Sequence, residues 1–242
     1  MNEFGTICGN NLQYDQENSI CFGSVAYAHS DITLPEGGED MSCVGIFKCY
    51  EGMVAFGDRR NTIVENQRGF ASENTVKKVF KGKDCLLVTH GHNTYKNPEG
   101  NPREKLETLL EDLTRQYPFR KLFVPLFQAL QPSLYPSSGK TYCFIVGVKE
   151  YPSSSIYQIK ISSDEIIYRK CEDTVSCIHG GCLTYALTNI QYHENEKSLE
   201  DIVELAKTCY EIAEKYGNRF LQYNPVGDGL DMKILDFSAN IQ

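Results

Sequence analysis

The sequence predicts an α+β fold in which two β-sheets pack face to face with helices outside them. Three observations predict it. Short runs rich in β-branched and aromatic residues, bounded by turn residues, occupy 43–57, 85–89 and 141–170. Stretches with apolar residues at three-and-four spacing follow each set of strands. A closing run, 230–235, alternates apolar and charged side chains. The order strands, helices, strands, helices, strand leaves the helices to cover the outer faces.

Residues 1–40 differ from the rest. They are polar, rich in Asn, Ser and Gly, carry one weak strand candidate at 20–27, and end in Pro35-Glu36-Gly37-Gly38-Glu39-Asp40. Low apolar content reads as a disordered or loosely attached extension. A propeptide is a second reading. A third is that the segment lies upstream of the true start, because Glu36 to Met41 can be encoded by a purine-rich ribosome-binding sequence followed by ATG. The domain proper is then 41–242.

A strand at 43–48, a tight turn at Tyr50-Glu51-Gly52 and a strand at 53–57 read as a hairpin that delivers Asp58, with Gly52 suiting the turn. A polar loop leads to Val76-Lys77-Lys78-Val79-Phe80, and an apolar strand at 85–89 ends in His90-Gly91-His92. Asn101 and Pro102 are helix-start signals, and Leu106, Leu109, Leu110 and Leu113 form one buried stripe. Leu122, Phe123, Leu126, Phe127 and Leu130 mark a second helix, which Pro125 is expected to kink or delay. Strands are expected at 141–148, 155–161 and 165–170. A helix carrying Tyr185, Ala186 and Ile190 follows Gly180-Gly181. Ser198 with Asp201 three residues on is a capping-box-like start for a helix with Leu199, Ile202, Val203, Ala206, Ile212 and Ala213 on its apolar stripe.

Composition excludes several classes. The 242 residues carry a formal net charge of −8 with no basic cluster, which argues against nucleic acid and anionic membrane as partners. No apolar run reaches the length of a membrane span and no basic-then-apolar leader opens the chain, so a soluble cytoplasmic protein is expected. The ten Cys are spread without regular pairing, which favours reduced thiols. Cys177, His179 and Cys182 provide at most three zinc ligands at an awkward spacing, so no metal and no cofactor is expected.

The stretch 41–95 resembles the proteasome family, particularly the β-type subunits and their bacterial ring-protease relatives, which are N-terminal-nucleophile (Ntn) hydrolases. The resemblance rests on an ordered set: Ser42 opening the first strand, Asp58 after the second, Arg60, Lys78 in its Val-Lys-Lys-Val segment, and Gly91 ending the next strand. Sixteen positions separate Ser42 from Asp58, as in the family, whereas the thirteen from Lys78 to Gly91 are one short. The likeness extends through the Gly-Gly, Tyr185-Ala186 and 198–213 segments. It implies a four-layer αββα sandwich over 41–242, a homo-oligomer with a ring as one form, and a peptide or small amide as substrate. An ATPase partner is left open.

The chemistry needs these residue types. A terminal Ser carries a hydroxyl and an α-amine of reference pKa about 7.7–8.0, so nucleophile and base are one residue. Lys78 next to the hydroxyl favours its ionised form, Asp58 orients Lys78, and a backbone N–H at Gly91 is the implied oxyanion donor. Cys43 is the alternative nucleophile, a stronger one as thiolate but one position off the family spacing. His90 and His92 either line the pocket or are ordinary strand residues. The sequence also departs from the family: Gly181, Asn224 and Gly227 stand where active members carry Ser, Asp and Ser. Three functions follow: a peptide-cleaving Ntn hydrolase using Ser42, a non-catalytic ring or interaction subunit that keeps Asp58 and Lys78 as a buried pair, and a small-molecule amidase.

Overall fold

The computed structural model describes residues 4–8, 11–14, 25–27, 42–65, 68–71, 75–96, 104–134, 140–150, 153–163, 165–171, 176–179, 198–220, 224 and 226–237. A seven-stranded antiparallel sheet runs in the order β2 (Asn11–Tyr14), β1 (Phe4–Cys8), β14 (Ile166–Cys171), β13 (Ser154–Ile161), β12 (Tyr142–Lys149), β9 (Cys85–Gly91), β8 (Val79–Lys81). A five-stranded sheet runs β16 (Leu230–Asp236), β5 (Gly52–Asp58), β4 (Val44–Lys48), β15 (Ser176–His179), β3 (Val25–Tyr27), with only β15 and β3 parallel. Two small pairs, β6 (Thr62–Glu65) with β7 (Arg68–Ala71) and β10 (Thr94–Tyr95) with β11 (Glu104–Lys105), complete the strands. The segment before residue 41 therefore contributes β1 and β2 to one sheet and β3 to the other.

Alternation along the central strands sorts their side chains into separate apolar layers. In β4 and β5, Val44, Ile46, Met53 and Ala55 meet Leu86, Val88 and Ile145 of the larger sheet, forming the layer between the sheets. Phe47, Val54 and Phe56 face the other way, onto Ile202, Ala206, Cys209 and Ala213. Strands buried on both faces read as near-continuous apolar runs, which is why 43–48 and 85–89 lack polar alternation.

Helices α1 (Leu106–Gln116) and α2 (Phe119–Leu134) pack on the larger sheet through Leu106, Leu110, Leu122, Phe123, Leu126 and Leu130, against Leu87, Phe144 and Ile159. Truncating one of these leucines to Ala would cost about 2–5 kcal/mol. The expected delay at Pro125 does not occur: α2 starts six residues before it and continues through both Pro125 and Pro132. Pro125 lies beside the exposed Val124, while Leu122, Phe123 and Leu126 stay buried and hold the helix across the lost hydrogen bond. The Asp84 carboxylate accepts the Phe119 N–H at 2.9 Å, a cap supplied from another loop.

Helix α3 (Leu199–Phe220) lies on the five-stranded sheet. Its start is the reciprocal cap expected from the sequence: the Ser198 N–H donates to Asp201 Oδ2 at 2.9 Å and the Asp201 N–H to Ser198 Oγ at 3.1 Å. The helix expected around Tyr185 lies outside the described residues. The four-layer αββα sandwich, and the α+β class with it, is corrected accordingly. The described residues are mostly β, with sheets of seven, five, two and two strands and three helices, a pair on one sheet and a single one on the other. Among these residues no helix is long and apolar enough to cross a membrane.

Candidate active site

At one end of the inter-sheet layer the start of β4, the end of β5 and the segment before β8 converge. Ser42 is placed by β4, Asp58 ends β5, and Lys78 immediately precedes β8. The Asp58 N–H donates to the Cys43 carbonyl at 3.0 Å, and the Cys43 N–H donates back to Asp58 Oδ1 at 2.8 Å. This closes the open end of the β4–β5 ladder with a side chain and so fixes the carboxylate. Lys78 is tied to the other sheet, its carbonyl accepting the Thr89 N–H at 2.9 Å.

The Lys78 ammonium donates to Ser42 Oγ at 3.0 Å and to both Asp58 oxygens, each at 3.0 Å. Asp58 is fully buried, and Ser42 and Lys78 are 9 % and 7 % exposed. With the Cys43 N–H and the Arg60 N–H, the latter at 3.1 Å to Oδ2, the carboxylate accepts four hydrogen bonds. Burial pushes the Asp58 carboxyl above its ordinary range, while the Lys78 charge and these hydrogen bonds pull it back down. Because Lys78 donates to Ser42 Oγ, the hydroxyl proton is directed to a different acceptor and the oxygen sits against a fixed positive charge.

Gly57, unremarked in the sequence, makes room for this. A Cβ there would lie 3.1 Å from Val79 Cγ2, 3.2 Å from Val44 Cγ1 and 3.5 Å from Lys78 Cβ. The stem of Lys78 thus passes beside bare backbone, a requirement that a glycine in a strand hints at only weakly.

The structure joins Ser42, Asp58 and Lys78 directly and Arg60 through its main-chain N–H. The Arg60 side chain turns away, donating from Nε and Nη2 to Asp228 at 3.1 and 2.9 Å and from Nη1 to the Asn224 carbonyl at 2.7 Å. Gly91 ends β9 two residues beyond Thr89, exposed, with a φ of 81° that suits glycine. Cys43 is fully buried among Phe47, Phe56 and Ala206 under α3, whereas Ser42 Oγ meets Lys78. Adjacent strand positions face opposite ways, which separates the two candidate nucleophiles. His90 is buried and shares the register of Leu86 and Val88, and the His92 ring lies 5.8 Å from that of Tyr142.

Asn224 does not stand in for an acidic partner of Ser42. Its Nδ2 donates to the Glu214 carbonyl at 2.9 Å and to Asn218 Oδ1 at 2.8 Å, and its Oδ1 accepts the Val226 N–H, so the amide is committed to α3 and its own turn. Gly181 and Cys182 lie outside the described residues, as do the side chains of Cys177 and His179.

No family model and no curated protein matches this chain. Among solved structures it is similar to the Gly-1 mutant of Anbu from Hyphomicrobium sp. strain MC1, at 14 % identity, 81 % of each chain covered and a TM-score of 0.52. It is also similar to Anbu from Pseudomonas aeruginosa in its helical assembly, at 15 % identity, 81 % of each chain and a TM-score of 0.51. At such identity the likeness concerns the fold alone. The resemblance to proteasome β-type subunits is corrected on this point: the solved structures this chain is similar to are Anbu structures.

Proposed function

We propose that this chain hydrolyses an amide bond by the N-terminal-nucleophile route, with Ser42 as nucleophile once it is the free amino terminus. The observation that carries the reading is the single ammonium of Lys78 bridging Ser42 Oγ and the Asp58 carboxylate. Removal of Met41 would expose the Ser42 α-amine. The amine takes the hydroxyl proton as Oγ attacks the substrate carbonyl carbon; the C–N bond then breaks, and the departing nitrogen leaves with that proton. Water adds to the resulting ester, its proton passes to the amine and then to Oγ, and the acid is released. Lys78 stabilises negative charge on Oγ, Asp58 holds Lys78, and the backbone at Gly91 is the proposed oxyanion donor, a role worth roughly 3 kcal/mol where it has been removed elsewhere. The substrate is a peptide or a small amide, and a homo-oligomer is the proposed working form.

The turning of Asn224 toward α3 favours a second reading, a non-catalytic subunit in which Lys78 and Asp58 are purely structural. Protein translated from Met41 decides between them. It should cleave a peptide or small-amide reporter, Ser42→Ala should abolish cleavage, and Cys43→Ala should change it little. Protein retaining residues 1–41 should be inactive, because an acylated nitrogen accepts no proton. Inactivity across a broad amide panel of Ser42-terminated protein that still melts cooperatively without β1, β2 and β3 would establish the structural reading instead.

A further inference from the structure

We propose that Arg60 is a positioning residue: clamped by Asp228 and the Asn224 carbonyl, it fixes the Asp58 carboxylate for Lys78, so that α3 sets the geometry of the nucleophile. The proposal rests on the hydrolase reading above for its catalytic consequence, though not for the clamp itself.

The Arg60 guanidinium makes a two-point contact with Asp228 and a third bond to the Asn224 carbonyl, and it lies flat on Gly227. A Cβ at Gly227 would be 2.5 Å from Nη2 and 2.6 Å from Cζ. The preceding residue is held by the same segment, the Arg59 N–H pointing at the Gly227 and Gly229 carbonyls at 3.2 and 3.0 Å. These contacts fix the backbone of residues 59 and 60, and the Arg60 N–H makes one of the four hydrogen bonds to Asp58. Lysine keeps the charge but lacks the planar fork that spans a carboxylate and a carbonyl together.

On its far side the clamp is anchored to α3. The Asn224 amide binds Glu214 and Asn218, and it fits against the helix only because residue 217 is glycine, where a Cβ would lie 2.0 Å from Asn224 Oδ1. The Gly229 N–H donates to the Tyr210 hydroxyl at 3.2 Å, which donates to Glu214 at 2.7 Å. Asp228 itself adopts a left-handed φ of 63°, uncommon for a residue with a side chain and held here by its pairing with Arg60. A continuous set of bonds thus runs from α3 through Asn224 and Arg60 to Asp58, Lys78 and Ser42.

The test uses protein bearing Ser42 at its terminus and a small-amide reporter. Arg60→Ala should lower kcat by about 10- to 100-fold, the scale of a misplaced reacting group, with KM within about twofold. Added guanidinium should restore part of the loss. Arg60→Lys, the milder variant, should lose about tenfold in kcat and gain nothing from guanidinium, and Lys207→Ala, on an exposed ion pair with Glu204, should match the parent. Independently of activity, and in the full 242-residue chain with β1, β2 and β3 in place, the melting-temperature losses of Arg60→Ala and Lys78→Met should be non-additive, since both act on Asp58. Parental kcat in folded Arg60→Ala, or additive melting losses, overturns the clamp even where the parent is active. Non-additive losses in a parent with no hydrolase activity keep the clamp and remove the hydrolase reading.

Discussion

The ammonium of Lys78 and the carboxylate of Asp58 meet across the two sheets, with Nζ 3.0 Å from both carboxylate oxygens and Asp58 wholly out of water. One partner comes from the end of the five-stranded sheet and the other from the segment that opens β8 of the seven-stranded sheet. The pair therefore belongs to the joint between the sheets as much as to the site beside Ser42.

Lys78→Met should destabilise the fold by roughly 3–5 kcal/mol at pH 7, because it strands a buried carboxylate. Burial already raises the Asp58 carboxyl against the opposing pull of Lys78, and the variant removes that pull, so the carboxyl rises further. A raised acid binds its proton more tightly folded than unfolded. Its stabilising effect is thus present at low pH and is lost as pH climbs from the ordinary Asp value through the folded one. Urea unfolding of parent and variant at pH 7 and pH 5 should show the deficit shrinking at pH 5. Equal deficits would mean that Asp58 carries no buried charge to strand.

Asp228 behaves oppositely. The hydrogen bond from Arg60, with the Arg60 charge, holds its carboxyl below the ordinary range. A depressed acid gives stability above its unfolded pKa, about 3.9, and loses it as pH falls through the folded value. Asp228→Asn should therefore cost less than about 1 kcal/mol at pH 7, given the partial exposure of both side chains, and progressively less as pH falls below the unfolded value. Melting curves from pH 7 to pH 2.5 that stay parallel for the two proteins would exclude the ion pair as the source.

That Ser42, Asp58 and Lys78 lie together is legible in the sequence, because strand ends and a Lys-Lys segment leave a one-dimensional order behind. Strands β12, β13, β14 and β16 fell within two residues of expectation for a similar reason: turn residues bound each of them. Arg60 was legible as a member of the set but not as a clamp, since its partners Asn224 and Asp228 lie 164 and 168 positions away. The commitment of Asn224 to α3 was hidden too, as it depends on bare backbone at Gly217. Continuation of α2 through two prolines reflects tertiary packing overriding local propensity.

Gly57 offers a way to separate the site from the core around it. Alanine there must fit 3.1 Å from Val79 Cγ2 and 3.2 Å from Val44 Cγ1, distances at which a neighbour has to give. Both valines are β-branched, stiff at χ1 and buried, so the strain falls on the backbone of β5 and on the Lys78 stem beside it. Overpacking of this kind costs about 1–3 kcal/mol. Gly147→Ala is the matched control. It overpacks the same layer, with a Cβ 2.6 Å from Met53 Sδ and 3.2 Å from Ile46 Cγ2, but it meets a flexible thioether and no residue of the Ser42 cluster. Both variants should melt below the parent. In Ser42-terminated protein, Gly57→Ala should lose about tenfold or more in kcat, since it displaces Lys78 from Ser42, while Gly147→Ala keeps the parental rate below its melting transition. Equal activity in the two variants, measured well below both transitions, would show that Gly57 serves packing alone and that the Lys78–Ser42 contact tolerates the shift.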